Sequence, residues 1–109
     1  MKTRPKEEIA LTAKELKERI SNFDEELREA YNICVFLLED ALMKPSLKEA
    51  ETIEESDAQT EVFRKQIQAI RKVGSLRARS IIVMCIDWIN GYDSDFLLKF
   101  NSDEKGQGE

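Results

Sequence analysis

Residues 6–44 read KEEIALTAKELKERISNFDEELREAYNICVFLLEDALMK, and this stretch contains neither proline nor glycine. Residues 46–73 and 75–90 also lack both of these helix-breaking residues. All three stretches are rich in Glu, Lys, Leu, Ala, Arg and Gln, which lose little side-chain entropy in a helix. The sequence therefore predicts an all-α fold, a small antiparallel helical bundle of four to five helices.

Apolar residues recur at intervals of three and four from Ile9 to Ala41, so they line one face of a helix. A single helix over residues 6–43 would be about 57 Å long, which is longer than a compact domain of this size is wide. It would need a partner chain to cover its apolar stripe. Ser21 as an N-cap, with Asp24 three residues later, favours a break instead. We favour the break and keep the long dimeric helix as the alternative.

Two further helices are predicted in the middle of the chain. Residues 46–49 have the spacing of a capping box, which predicts a short helix through Ile53. Ser56 or Asp57 then caps a longer helix, which stops at Gly74 in a left-handed conformation. This longer helix is expected to bury five apolar side chains, namely Val62, Phe63, Ile67, Ile70 and Val73.

Ser75 is the predicted N-cap of a last helix, which ends at Asn90-Gly91 with Gly91 in a left-handed conformation. Its centre, IIVMCI at residues 81–86, is apolar all the way round. We therefore expect this helix to lie at the centre of the bundle or in a subunit interface. A β-strand is the rival interpretation, because β-branched residues precede Asn-Gly. Residues 92–95 lack the alternation of a return strand, so the helix is favoured.

The C-terminal part of the chain is divided by composition. A short apolar cluster spans Phe96 to Phe100, and residues 101–109 are polar and contain two glycines. We expect one helical domain over residues 1–100, followed by a disordered tail at residues 101–109.

The composition excludes several classes of function. The 109 residues include no histidine, which excludes Ser-His-Asp and Cys-His catalysis and zinc sites with mixed ligands. Cys34 and Cys85 are expected to be inert, buried thiols in a reducing compartment. No apolar run is long enough to cross a bilayer, and the charged N-terminus lacks the apolar run of a secretory signal. We expect a cytoplasmic protein with no cofactor and no membrane partner.

Charge is segregated along the chain, although the net charge is −5. Residues 49–61 hold six acids and no base, and residues 64–79 hold six bases and no acid. The bases are candidate phosphate contacts of a nucleic-acid-associated regulator. They also fit pairing with the acidic segment, which we favour because no aromatics interleave with them. The six bases are Arg64, Lys65, Arg71, Lys72, Arg77 and Arg79.

Two acidic motifs suggest a third function. Residues 25–29 spell EExxE and residues 54–57 spell ExxD, and acids at these spacings share a helix face. This spelling is similar to the paired motif of the all-α nucleoside triphosphate pyrophosphatases. The resemblance implies a magnesium-dependent pyrophosphatase whose metal ligands are Glu26, Glu29, Glu54 and Asp57.

The leading hypothesis is a non-enzymatic protein that acts by protein–protein interaction, as an adaptor, inhibitor or regulator. We expect it to self-associate, as a homodimer or other homo-oligomer, and to bind a protein partner. No catalytic or metal-binding residue is predicted under this hypothesis. The apolar residues expected to contact a partner are Leu27, Leu37, Leu38, Val83, Ile86, Trp88, Phe96, Leu97 and Phe100.

Overall fold

A computed structural model describes residues 4–43 and 53–104, and within them the chain is helical, with no strand. Helix α1 spans Lys6–Arg19, α2 Glu25–Met43, α3 Ile53–Arg71, α4 Leu76–Ile89 and α5 Phe96–Asp103. The predicted all-α bundle is confirmed, and the rival strand at residues 81–86 is wrong. The short helix predicted from residue 46 lies outside the described residues, apart from Ile53, where α3 begins.

The predicted break in the N-terminal region is confirmed, but the residue that caps α2 differs. A single 3₁₀ turn, Ile20–Asn22, follows α1, and the extended backbone of Phe23 turns the chain. Asp24, not Ser21, is the cap, because its Oδ1 accepts a hydrogen bond from the backbone N–H of Leu27 at 3.0 Å. With this turn, α1 folds back along α2, and each helix covers part of the apolar stripe of the other.

Helix α3 begins earlier than predicted, so Ser56 and Asp57 lie inside it rather than at its cap. Gly74 and Gly91 were both predicted to be left-handed. This is confirmed for Gly91, the one described residue with a positive φ, at 84°, and it is wrong for Gly74. The chain therefore leaves α3 without a left-handed glycine. Ser75 caps α4 as predicted, because its side chain accepts a hydrogen bond from the N–H of Ala78.

Helix α4 is the central element of the fold. It packs against α2, α3 and α5, which explains why its sequence is apolar on nearly all sides. Ile81, Ile82 and Cys85 have no exposed surface, whereas Val83 is 41% exposed. The prediction of a central position is therefore confirmed, and one side of the helix remains open to solvent.

Helix α5 closes one end of the bundle over a cluster of aromatic side chains. The rings of Phe23 and Phe100 stack at 5.2 Å between centroids, and Tyr31 lies 4.7 Å from Phe23 and 6.2 Å from Phe96. The prediction of a disordered tail is wrong for residues 101–104, because α5 continues to Asp103 and Glu104 is buried. Residues 105–109 lie outside the described residues.

The two ends of the described chain are tied to the bundle by arginines. Arg4 donates from Nε to the carbonyl of Trp88 at 2.9 Å, and its guanidinium lies 4.7 Å from the centre of the Trp88 ring. Arg19 donates two hydrogen bonds to Glu104, at 2.7 and 2.8 Å. These contacts hold the start of α1 on α4 and the end of α5 on α1.

Candidate interaction surfaces

Most of the apolar residues predicted to contact a partner are buried in the core of the chain itself. These side chains fill the bundle of a single chain, so in this conformation a partner does not reach them. Val83 and Leu97 are exposed, at 41% and 38%, and Ile86 is partly buried at the edge of the core. The buried residues are Leu27, Leu37, Leu38, Trp88, Phe96 and Phe100.

Five of the six basic side chains have a partner within the described residues. Lys65 pairs with Asp40 of α2 at 3.2 Å, and Arg64 pairs with Glu61 one turn earlier in α3. Lys72 Nζ lies 5.7 Å from the centre of the Phe36 ring.

The two bases at the start of α4 are held near the turn that precedes it. Arg77 lies 3.8 Å from Asp24 and 3.7 Å from Glu26, and Arg79 donates to the carbonyl of Val73 at 2.7 Å. Arg71 is the sixth base, and it is exposed without a partner among the described residues. The basic side chains are therefore spread over several contacts rather than gathered in one patch.

The acidic residues of the two motifs have different surroundings. Glu26 faces Arg77 and accepts a hydrogen bond from the Ser75 hydroxyl, so its carboxylate is already engaged. Glu29, one turn further along α2, lines a groove and forms no ion pair with a described residue. Within residues 4–43 and 53–104, excluding side chains that are not described, no three acidic or thiol groups converge as metal ligands would.

A groove of about 810 Å³ runs along α2 beside the end of α3, and we call it the α2 groove. Its two apolar lining residues are Ile33 and Phe36, whose ring is half-exposed. Glu25 and Glu29 line it from α2, and neither forms an ion pair with a described residue. The complete lining consists of Glu25, Arg28, Glu29, Asn32, Ile33, Phe36 and Lys72.

Helix α3 carries two apolar stripes, and only one of them is buried. The inner stripe, Val62, Gln66, Ala69 and Val73, is between 3% and 7% exposed and packs towards α2 and α4. The outer stripe consists of Phe63, Ile67 and Ile70, of which Ile70 is partly buried against the core. Phe63 is 37% exposed and Ile67 is 52% exposed, so the prediction that both are buried is wrong.

A pair of buried amides explains which side of α3 faces the core. Gln66 of α3 and Asn90 at the end of α4 are each 5% exposed and exchange hydrogen bonds at 3.3 and 3.4 Å. Breaking that pair would leave two buried amides without partners, which is costly. The pairing therefore turns Val62 and Ala69 inward and leaves Phe63 and Ile67 at the surface.

The buried groups that titrate are embedded in the core rather than in a cleft. Desolvation and the nearby Asp103 carboxylate raise the pKa of Tyr31 far above its ordinary value. Burial and a hydrogen bond with Cys34 raise the pKa of the Cys85 thiol, so this thiol stays protonated. Both cysteines are reduced and fully buried, which agrees with the predicted inert thiols.

No family model, curated protein or solved structure matches this chain. Within the described residues, the helices are each too short or too polar to cross a membrane. The α2 groove and the outer stripe of α3 are therefore the candidate interaction surfaces of the described residues.

The sequence predicted neither the outer stripe of α3 nor the α2 groove as an exposed surface. Periodicity shows that apolar residues share a helix face, but it does not show which of two adjacent stripes meets the core. Gln66 carried the missing signal, because a polar residue between Val62 and Ala69 has to find a buried partner if that stripe is inside. For the α2 groove, Phe36 lies outside the regular apolar stripe of α2, and the sequence alone does not indicate that its ring is exposed.

Proposed function

We propose that the protein is a non-enzymatic helical binding protein, an adaptor or regulator that contacts a protein partner through the α2 groove. The observation that supports this proposal most strongly is Phe36. Its large aromatic ring is 52% exposed and lines the α2 groove together with Ile33. Aromatic anchors in concave, apolar sites contribute much of the affinity in protein interfaces.

The charges around the groove indicate the chemistry of the partner. Two of the four charged lining residues are engaged within the chain, because Arg28 donates to the carbonyl of Phe23 and Lys72 lies over the Phe36 ring. Glu25 and Glu29 are one helical turn apart on α2 and form no ion pair with a described residue. A peptide segment that places a bulky apolar side chain against Phe36 and a Lys or Arg beside these carboxylates would complement the groove. Complementary charge of this kind adds specificity and speeds association.

The other two functions have weaker support. Nucleic-acid binding would require basic side chains that are available to phosphates, and most of the basic side chains have partners within the chain. Pyrophosphatase activity would require Glu26 to hold magnesium, and its carboxylate faces Arg77 and Ser75.

The test is a selection from a random peptide library against the immobilised protein. We expect enrichment of peptides that combine a large apolar residue with a base, and loss of their binding to Phe36→Ser. Leu11→Ser, which removes a 58% exposed apolar residue from α1, is the matched control and should retain binding. Retention by Phe36→Ser, or enrichment of no apolar-basic pattern, would contradict the proposal.

Charge reversal provides a second readout on the same groove. Selection against Glu25→Lys/Glu29→Lys is expected to replace the basic residue of the enriched peptides by an acidic one, while the apolar residue stays. An unchanged peptide pattern would show that these carboxylates do not face the partner.

A further inference from the structure

The outer stripe of α3 has the spacing of a helix–helix seam. Phe63, Ile67 and Ile70 follow one another at intervals of four and three, the repeat that keeps side chains on the line along which two helices meet. Phe63 and Ile67 expose 37% and 52% of their surface, because the described part of the chain does not cover them. The same helix packs on the core through its inner stripe, so the outer stripe is a second seam.

Charged residues flank this seam at regular positions. Asp57, Arg64 and Arg71 are each seven residues apart, so they lie along the same side of the outer stripe. Asp57 is at the N-terminal end and Arg71 at the C-terminal end, and both are exposed without an ion-pair partner among the described residues. Arg64, between them, is neutralised by Glu61. One flank therefore runs from negative to positive along the helix.

We propose that the outer stripe of α3 is the dimer interface of this protein, where α3 of a second copy packs antiparallel to it. In an antiparallel pair related by a two-fold axis, equivalent flanks face each other and the sequence directions are opposed. With Phe63 of one chain against Ile67 of the other, Asp57 of each chain lies beside Arg71 of its partner. The pair thus covers both apolar stripes and forms two new ion pairs. Arg64 of the two chains meet at the centre of the flank, where each is paired with Glu61 of its own chain.

The charge pattern distinguishes this arrangement from its alternatives. A parallel pair would instead place this flank against the opposite flank of the partner, which carries the buried Gln66 and Val73, so neither Asp57 nor Arg71 would gain an ion pair. In a second copy that packs antiparallel, symmetry places Asp57 and Arg71 opposite each other at both ends of the flank. An unrelated protein carries no such built-in match to the order of these charges. This interface is separate from the α2 groove, so the failure of either proposal leaves the other standing.

The size of the seam sets the expected strength of the dimer. Stable interfaces bury about 800 Å² on each partner, and three apolar side chains on one helix provide less than that. The dimer is therefore weak, and the fraction of protein in the dimer rises with protein concentration. Because ion pairs at its rim are screened by salt, it also weakens as the ionic strength rises.

Sedimentation velocity over a range of concentrations tests the interface. We expect a monomer–dimer equilibrium for the unmodified chain, and a rise of at least about tenfold in the dissociation constant for Ile67→Glu, which places a charge in the seam. Leu11→Glu adds the same charge at an exposed apolar position of α1 and should leave the equilibrium unchanged. A strictly monomeric protein, or a dimer that survives Ile67→Glu, would overturn the proposal.

Charge exchange tests the antiparallel geometry. Each single variant, Asp57→Arg or Arg71→Asp, should be monomeric alone. In a pair of identical variant chains, position 57 of each chain and position 71 of the other carry like charges, which repel. An equimolar mixture of the two should form a heterodimer, and the double variant Asp57→Arg/Arg71→Asp should dimerise again. Circular dichroism of each variant separates loss of pairing from loss of fold. If the mixture stays monomeric while unmodified chains dimerise, the antiparallel arrangement is wrong.

Discussion

Glu104 shows how a single residue fixes the end of the bundle. It is the one charged residue that is buried in the described chain, and its carboxylate accepts hydrogen bonds from Arg19 at 2.7 and 2.8 Å and from Asn22 at 2.9 Å. The Arg19 guanidinium also lies 4.3 Å from the centre of the Phe100 ring. A buried carboxylate is tolerated only when it is paired in this way.

Removal of the guanidinium is therefore expected to destabilise the fold. For Arg19→Met we expect a loss of about 2–4 kcal/mol in the free energy of unfolding, because Glu104 remains buried without its counter-ion. Lys17→Met removes an exposed ion pair with Glu39 and should cost less than about 1 kcal/mol. Urea unfolding followed by circular dichroism measures both values. Equal losses would mean that Glu104 is not the buried partner of Arg19.

Tyr31 gives a prediction about alkaline pH. Burial raises its pKa in the folded protein above the value of about 10 that a tyrosine has in an unfolded chain. A raised pKa contributes stability that is complete below about pH 10 and is lost as the pH rises towards the folded value. In Tyr92→Phe, where Tyr31 is the single remaining tyrosine, phenolate absorbance should appear only together with loss of helical signal. Phenolate absorbance from a fully helical protein would contradict this.

At the scale of elements, the start of α2 separates what the sequence predicts from what requires the fold. The break after α1 was predictable, because Ser21 and Asp24 both have cap chemistry. Which of the two residues caps α2 was not predictable, because it depends on the extended backbone of Phe23. The ring of Phe23 stacks on Phe100 of α5 in the aromatic cluster. Long-range packing therefore selected Asp24 as the cap.

Alanine substitution at the two positions tests this assignment. Asp24→Ala should lower the free energy of unfolding by about 0.5–2 kcal/mol, because the N–H of Leu27 loses its acceptor. Ser21→Ala should change it by less than about 0.5 kcal/mol, since Ser21 is exposed in the 3₁₀ turn. Asp24→Asn retains the cap and separates this effect from the loss of the contact with Arg77. A larger effect for Ser21→Ala would restore Ser21 as the cap.

Helix α3 shows the limit of periodicity. The sequence predicted a helix there and identified Val62 and Val73 as buried, which is confirmed. It could not tell that Phe63 and Ile67 lie on a second stripe, because the orientation of α3 is set by the buried pair of Gln66 and Asn90 from different helices. Amide pairs across helices leave no trace in the local spacing of apolar residues.

At the scale of the whole molecule, the described residues of one chain bury a common core, and neither the α2 groove nor the outer stripe of α3 is covered by them. The α2 groove is lined by Phe36 and by two glutamates without an ion pair among the described residues, and the outer stripe of α3 is flanked by charges of opposite sign at its two ends. The expectation of self-association thus moves from the buried residues of α2 and α4 to the exposed stripe of α3. Contact through helical surfaces is the function that this arrangement supports.

Disulfide cross-linking of engineered cysteines tests the self-association surface most directly. Asp57→Cys and Arg71→Cys place thiols at the two ends of the outer stripe, while Cys34 and Cys85 are fully buried and do not react. Under mild oxidation, we expect a mixture of the two variants to give a cross-linked dimer, and each variant alone to give little. Efficient cross-linking of each variant with itself, or none in the mixture, would contradict the account.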